Sequence, residues 1–267
     1  MIKFLHIITS KNRGPQLEAQ LRTLHFLKGS VSTKVVYTTT SEDHEAVYSY
    51  LQEQYPTVQF IKESDYKLDL ETLIEEFEGP YVFITPDDGC FIREIDLEKV
   101  DALVSGKKIM YSLRMGTHLR MCHPAGNTPQ PLPEFHDDRG DFKVWLWEGS
   151  SLDWGYPMAL DGSVFVKDSF LAILKSLSYN KPTSLEIRLQ QFVGGLQDLM
   201  GAASNASQFV SIPWNAITDE AANPNSGISE ELFLEEWCKG KRLCIDHIVG
   251  SMPVSCHYEY DLIWEGR

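Results

Sequence analysis

The sequence of 267 residues is poor in cysteine, in basic residues and in long apolar runs. Its five cysteines are odd in number and form no Cys-x-x-Cys pair, which argues against a disulfide framework and a zinc ribbon. Lysine and arginine total 24 against 38 acidic residues, so we expect no surface for nucleic acid. No apolar stretch approaches the roughly 18 residues of a membrane span, and none at the N-terminus resembles a signal peptide. We therefore expect a cytoplasmic protein with reduced thiols.

The common phosphate-binding and hydrolase motifs are also missing. The sequence contains no Gly-x-x-x-x-Gly-Lys-Ser/Thr loop and no Gly-x-Gly-x-x-Gly. It also lacks the Gly-x-Ser-x-Gly turn of many serine hydrolases. His44-Glu45 is followed by Tyr48 where a zinc-protease helix needs its second histidine. Any site for phosphate or metal must therefore be built differently.

Strand and helix patterns alternate along most of the chain, and 43% of its residues are apolar. This alternation predicts an α/β fold, with a doubly wound sheet flanked by helices. Ser41, Asp69 and Ser229 are expected to cap helices. Compact apolar runs predict strands at 4–8, 34–37, 58–61, 81–84, 109–113, 163–166 and 209–213. Helical spacing predicts helices at 17–27, 47–51, 70–77, 97–103, 171–174 and 182–196.

Residues 117–157 interrupt this alternation, because they are rich in proline and glycine. We expect an irregular excursion, and long loops of this kind often bind ligands. It holds Asp153, Trp154 and Tyr156, a polar and aromatic cluster that could line a binding pocket. Tryptophans of this kind more often pin a loop to the core.

Asp87-Asp88 carries the strongest chemical signal. The pair follows an uninterrupted apolar strand, and ligands in doubly wound sheets bind at the carboxyl ends of strands. Two carboxylates there can hold Mg²⁺ or Mn²⁺ through oxygen. The alternative is structural, since Pro-Asp-Asp-Gly is also a favourable turn sequence.

Glu186 is the second candidate, as a catalytic base at the start of a helix. Thr183 precedes it at the spacing of a capping box, which we expect to form locally. His257 is a candidate for metal or phosphate contact, although an isolated histidine is more often structural.

Asn12-Arg13 follows the first predicted strand, Asp87-Asp88 follows a buried strand, and Glu186 stands at a helix start. With Gly155-Tyr156-Pro157 and Asp161 between them, this order resembles the family 2-like nucleotide-diphospho-sugar glycosyltransferases, which have a GT-A fold. The resemblance covers most of residues 1–215. It implies a GT-A-like, Rossmann-like mixed sheet in a single domain of residues 1–267. Residues 1–115 would form its nucleotide-binding half and residues 116–267 its acceptor-side half.

The resemblance implies transfer of a sugar from a nucleoside diphosphate sugar to a hydroxyl acceptor, such as a saccharide, with Mn²⁺ or Mg²⁺ as cofactor. Glu186 or Asp161 would be the base. The metal would be held by Asp87, Asp88 and His257, and the acceptor by Asp153, Trp154 and Tyr156. The nucleotide would be bound by Thr9, Asn12, Arg13, Thr38, Asp65 and Arg114.

The chain departs from the family pattern in two places. Gly89 stands where the Asp-x-Asp motif has its second aspartate, and Ile187 follows Glu186 where an aspartate is usual. Two alternatives therefore stay open: a nucleotide-binding protein of the same fold without catalysis, and a sugar-phosphate nucleotidyltransferase. The second alternative calls for a glycine-rich loop after the first strand, where residues 10–15 contain a single glycine.

Overall fold

The protein is described by a computed structural model that covers residues 2–196, 198–215 and 224–267. Within these residues a sheet of nine strands forms the centre of the molecule. In chain order its strands are β1 (Phe4–Lys11), β2 (Val31–Thr38), β3 (Gln59–Lys62), β4 (Tyr81–Pro86), β5 (Ile109–Ser112), β6 (Phe135–Arg139), β7 (Phe142–Leu146), β8 (Ser163–Val166) and β9 (Met200–Ser204).

The sheet is mixed, with the spatial order β6-β7-β9-β5-β8-β4-β1-β2-β3. β1 lies parallel between β2 and β4, and β3 continues this parallel half. β8 runs antiparallel between β4 and β5, so its first residues lie at the edge where those two strands end. β9 is parallel to β5, and the hairpin of β6 and β7 closes the other side. The predicted α/β class with a mixed sheet is confirmed.

Helices cover both faces of this sheet. They are α1 (Gly14–Arg22), α2 (Glu42–Gln54), α3 (Tyr66–Glu75), α4 (Leu97–Val104), α5 (Lys167–Ser176), α6 (Pro182–Leu189) and α7 (Glu230–Cys238), with 3₁₀ turns at Leu24–Phe26, Leu152–Gly155 and Gln190–Gly195. None of these helices is long and apolar enough to cross a membrane. Short strand pairs join Leu27–Lys28 to Ile95–Asp96, Gly89–Phe91 to Phe209–Ser211, Met121–Cys122 to Thr128–Pro129, and Lys241–Leu243 to Trp264–Gly266.

The packing of the core explains why the first half of β1 is mainly apolar. Successive side chains of a strand point to opposite faces, so a strand covered on both faces needs apolar residues throughout. Leu5 and Ile7 pack with residues of α3, α5 and α6 on one face. Phe4 and Ile8 pack on the other face, the first with residues of α4 and the second with residues of α1 and α2.

Two predicted helix caps are wrong. Asp65, and not Asp69, caps α3, because its side chain accepts a hydrogen bond from the Leu68 backbone N–H at 2.9 Å. α6 begins at Pro182, and the Ser184 hydroxyl accepts from the Lys181 backbone N–H at 3.3 Å. The expected capping box of residues 183 and 186 is therefore absent, which leaves Glu186 available for other contacts. The caps expected from Ser41 and Ser229 are confirmed.

The segment 117–157 is less irregular than expected. Its second half contains β6 and β7, which extend the central sheet through β9. β9 lies in a stretch for which we expected no strand. The helix expected through residue 196 ends at Leu189 and continues as a 3₁₀ turn, and the helix expected through residue 27 ends at Arg22.

Candidate functional site

The turn from β1 into α1 brings a buried arginine to the carboxyl edge of the sheet. Asn12 takes the left-handed backbone conformation, with φ of 57°, and Arg13 occupies the N-cap position of α1. Gly14 follows because α1 passes close to α2: a Cβ at this position would lie 2.4 Å from Val47 Cγ1. The close packing of α1 against α2 therefore fixes the position of the Arg13 backbone.

Arg13 bridges the two adjacent aspartates that follow β4. Its Nη1 lies 3.1 Å from Asp87 Oδ1 and 2.7 Å from Asp88 Oδ2. Its Nη2 donates to the backbone carbonyl of Asn215 at 2.6 Å. We call Arg13, Asp87 and Asp88 the outer triad. It forms because β1 and β4 are parallel neighbours, so the residues after each strand meet at one edge.

The two aspartates of the outer triad differ in how far their oxygens are engaged. Asp87 is buried, and its Oδ2 also accepts from Ser10 Oγ at 2.7 Å and from the Lys11 backbone N–H at 3.3 Å. Burial raises the pKa of Asp87 to about 6, against the opposing charge of Arg13. The Asp88 side chain is 17% exposed, and Arg13 is its one partner among the described residues. Asp88 therefore has a carboxylate oxygen that can bind a cation, whereas both carboxylate oxygens of Asp87 already accept hydrogen bonds.

Gly89 explains why no further carboxylate joins this pair. A Cβ at residue 89 would lie 2.0 Å from Cζ of the Phe209 ring, so the space for a side chain is filled. Gly89 also pairs with Ser211 across the short strand pair. The residues present therefore fit a divalent cation through Asp88, with other ligands to come from the bound molecule or water.

The loops after β1 and β2 are tied together beside the outer triad. Asn12 donates through Nδ2 to Thr40 Oγ1 at 2.8 Å and accepts from the Thr40 backbone N–H at 2.9 Å. Its own backbone N–H donates to the Thr38 carbonyl at 3.2 Å. Asp65 follows β3, the next strand along this edge, and Thr9 lies within β1. Five of the six residues predicted to bind nucleotide thus lie on neighbouring parallel strands or the loops after them.

The sixth, Arg114, belongs to a second cluster. It follows β5 and is 3% exposed. Its Nη1 lies 3.2 Å from Asp153 Oδ1, and its Nε lies 3.1 Å from Asp161 Oδ1. Nη1 also contacts Cys256 Sγ at 3.0 Å. We call Arg114, Asp153 and Asp161 the inner triad. Its arginine is enclosed by these partners, and its predicted contact with phosphate stays a prediction.

Glu186 lies beside the inner triad. The Tyr156 hydroxyl and the Leu160 backbone N–H lie near its carboxylate and favour its ionised form. Burial, and then the negative charge of Asp161, raise the pKa of Glu186 to about 7, while Arg114 opposes the rise. A half-buried carboxyl group with a pKa near neutrality can exchange a proton with a bound hydroxyl group.

His257 lies between the two clusters but faces the inner one. Its Nε2 lies 3.4 Å from Asp161 Oδ2, and its Nδ1 lies 3.4 Å from Cys256 Sγ. Its backbone pairs with Ser211, whose other neighbour is Gly89. Burial lowers the pKa of His257, and the negative charge of Asp161 opposes this most strongly. Joint metal binding by His257 and the Asp87-Asp88 pair stays a prediction, because the ring turns toward Asp161.

Of the three residues predicted to bind acceptor, Tyr156 is the most open, being half-buried beside Glu186. Trp154 is 1% exposed and packs edge-on against Trp145, with ring centroids 4.8 Å apart. Asp153 is buried in the inner triad. Sequence reasoning missed Ser10, Tyr48, Asn215 and Cys256 as parts of these clusters, since nothing in their local sequence indicates the contacts.

The chain was compared with known proteins. No family model matches it. It is 23% identical over 178 residues to the bifunctional glycosyltransferase pgtA of Dictyostelium discoideum, which covers 60% of this chain. The match spans about a quarter of that relative's length, 23%.

Among solved structures, the chain is similar to residues 1–349 of S. aureus TarS in complex with UDP-GlcNAc. The TM-score is 0.51 at 14% sequence identity, covering 87% of this chain and 64% of the other. The UDP complex of the same TarS fragment aligns with a TM-score of 0.49. The likeness to the UDP-GlcNAc complex shows the fold alone, and the predicted GT-A-like fold is confirmed.

Proposed function

We propose that this chain transfers a glycosyl group from a nucleoside diphosphate sugar to a hydroxyl acceptor. The observation that carries the proposal is the placement of the outer triad and of Glu186 along one edge of a GT-A-like sheet. β1, β4 and β5 end at this edge, and antiparallel β8 begins there. A site for a charged diphosphate and a carboxyl base thus belong to the same edge.

The outer triad would hold the diphosphate of the donor. Arg13 offers a guanidinium group, which binds phosphate oxygens well. The free oxygen of Asp88 would hold Mn²⁺ or Mg²⁺, and such an ion supplies charge neutralisation of the departing diphosphate. The loops tied by Asn12, together with Thr9, Thr38 and Asp65, would bind the nucleoside.

Glu186 would act as the base. The bond between the sugar's anomeric carbon and the diphosphate oxygen breaks, and the acceptor oxygen forms the new bond to that carbon. The acceptor's proton passes to a carboxylate oxygen of Glu186, whose pKa of about 7 suits proton transfer near neutral pH. Asp161 is already paired with Arg114 and His257, so it would position Glu186 and tune its charge.

The acceptor would enter on the side of Tyr156, whose hydroxyl contacts Glu186. A saccharide is the acceptor class that we propose, because a half-buried aromatic ring beside a carboxylate suits a sugar's mixed apolar and hydroxyl surface. A cytoplasmic location is part of the proposal. The free cysteines Cys90, Cys122 and Cys256 are buried and support a reducing compartment.

The proposal is tested with a panel of UDP, GDP and their sugars, UDP-GlcNAc first, each with and without Mn²⁺. A ligand that binds the folded chain raises its unfolding temperature by mass action. We expect at least one sugar donor to raise the midpoint and then to release its nucleoside diphosphate during incubation with saccharides. If no member of the panel shifts the midpoint, the proposed donor site is wrong.

The same panel, extended with nucleoside triphosphates and sugar phosphates, separates the two alternatives. A nucleotide-binding protein without catalysis would bind a donor and release nothing from it. A nucleotidyltransferase would instead release pyrophosphate from a nucleoside triphosphate in the presence of a sugar phosphate. The transferase is favoured because Glu186, beside the inner triad at the same edge of the sheet, has a pKa suited to a base.

A further inference from the structure

The positive charge in the outer triad is a side chain of the protein, the guanidinium group of Arg13. The Arg13 side chain is 7% exposed, and Nη1 contacts a carboxylate oxygen of each aspartate, at 3.1 and 2.7 Å. Ser10 and the Lys11 backbone N–H occupy the other oxygen of Asp87. The guanidinium group thus stands where a divalent ion bridging the two carboxylates would stand.

We propose that Arg13 is an internal counter-ion that excludes a divalent cation from the free protein, so that the cation binds firmly only together with a nucleoside diphosphate. This inference rests on the proposed function, because it concerns the same donor site. Two cations a few ångströms apart in a partly buried site repel each other strongly. The added negative charge of a diphosphate allows both to stay, since phosphate oxygens can bind Arg13 while Asp88 binds the metal.

The contacts of Arg13 support such an exchange of partners. Its Nε is buried and has no hydrogen-bond partner among the described residues, which is costly for a charged donor. Its Nη2 is held by the Asn215 carbonyl and not by a carboxylate, so the side chain stays anchored when Nη1 leaves Asp88. A phosphate oxygen would replace Asp88 as a partner of Nη1.

Metal and nucleotide are then coupled through Arg13. Coupling is reciprocal, so the factor by which the nucleotide tightens Mn²⁺ binding equals the factor by which Mn²⁺ tightens nucleotide binding. Replacing Arg13 by a neutral residue removes the internal cation. The variant should bind Mn²⁺ without nucleotide, and the coupling factor should shrink.

The test measures Mn²⁺ binding by electron paramagnetic resonance of the free ion, with the full chain and with UDP and GDP as probes. For the wild type, we expect the better of the two probes to tighten Mn²⁺ binding by about tenfold or more, near the 1–3 kcal/mol typical of coupling. Without nucleotide, Arg13→Gln should bind Mn²⁺ about tenfold more tightly than the wild type. Arg188→Gln, an exposed arginine on α6, is the matched control and should behave as the wild type.

Equal Mn²⁺ affinities of wild type and Arg13→Gln without nucleotide would overturn the inference. Firm Mn²⁺ binding by the free wild type would do the same, while leaving the proposed function intact. If Arg13→Gln does not fold, Arg13→Met takes its place: it is also neutral, so Mn²⁺ binding without nucleotide should again tighten by about tenfold. If neither probe binds under any condition, the proposed function fails, yet the comparison without nucleotide still decides the role of Arg13.

Discussion

The outer and inner triads have the same composition and different surroundings. Each places one arginine between two aspartates, with contacts of 2.7 to 3.2 Å. In the outer triad the Asp88 side chain is 17% exposed and keeps one oxygen free of described partners. In the inner triad the side chains are 3% exposed for Arg114, 6% for Asp153 and 11% for Asp161. Cys256 and His257 close the remaining sides.

The difference separates an exchangeable site from a permanent one. An ion pair that is open to water can give up a partner to a charged ligand, because solvent compensates the freed charge. A sealed pair cannot, because removal of one partner leaves an uncompensated buried charge. We infer that the outer triad binds the donor, whereas the inner triad holds Glu186 and Tyr156 in place for chemistry.

The largest expected effect is the loss of stability when the arginine of the inner triad is replaced. Arg114→Gln should lower the free energy of unfolding by about 3–5 kcal/mol, because Asp153 and Asp161 stay buried without a cation. Arg13→Gln should cost less than about half of that, since Asp88 is partly hydrated. Urea unfolding of both variants at pH 7 measures the two losses. Equal losses would mean that the triads do not differ in the way we describe.

The next largest effect concerns metal-dependent donor binding by the outer triad. Asp88→Asn should remove the Mn²⁺-dependent part of donor binding, weakening it by about tenfold or more, because an amide binds a hard cation poorly compared with a carboxylate. Calorimetric titration of the responding donor with and without Mn²⁺ measures this. Asp168→Asn, whose carboxylate is 88% exposed on α5, is the matched control. Retention of the Mn²⁺ effect in Asp88→Asn would assign Asp88 to the turn alone.

A third effect concerns pH. Only the ionised form of Glu186 can accept the acceptor's proton, and its pKa is raised to about 7. The rate of transfer should therefore rise about tenfold per pH unit below pH 7 and level off above it. Initial rates between pH 5 and pH 9 at saturating donor give the profile. A rate that does not change between pH 5 and 7 would remove Glu186 from the role of base.

The smallest expected effect is the pH dependence of stability that comes from Glu186. The folded-state pKa of Glu186 is above its ordinary value of 4.5, so the folded chain binds more protons than the unfolded chain between pH 4.5 and about 7. Stability contributed by this group falls as pH rises through that window, and the full penalty is present above pH 7. Glu186→Gln should raise the unfolding temperature by about 2 °C or more at pH 8 and hardly at all at pH 4.5. An unchanged or lower midpoint at pH 8 would contradict this.

The sequence was most informative where a strand is buried on both faces. β4 and β8 contain unbroken apolar runs, and the run in β1 is interrupted by His6 alone, so their positions follow from the pattern. β9 was missed because it consists mainly of small residues without strand preference. They are there because the Trp145 ring lies against the strand, and a Cβ at Gly201 would stand 2.4 Å from it. Only tertiary packing explains such a strand.

The residues of the candidate site likewise divide into those that the sequence could place and those that only tertiary packing brings together. Arg13 and the Asp87-Asp88 pair were predictable as neighbours, because each follows a strand in a parallel pattern. Nothing local indicated that Arg114 would meet Asp153 and Asp161, which lie 39 and 47 positions away along the chain. Glu186 was expected in a cap that does not form. Its role as base stays a prediction, and its neighbours from a distant segment, Tyr156 and Leu160, follow only from the tertiary fold.

The central claim is that donor binding and chemistry belong to different clusters at one edge of the sheet. The most direct test compares donor affinity and the rate of nucleoside diphosphate release in wild type, Asp88→Asn and Glu186→Gln. Glu186→Gln should bind the donor as the wild type does and lose about 10²- to 10⁴-fold in kcat. Asp88→Asn should lose affinity in the presence of Mn²⁺. A Glu186→Gln variant with undiminished kcat, or one that fails to bind the donor while folded, would contradict the account.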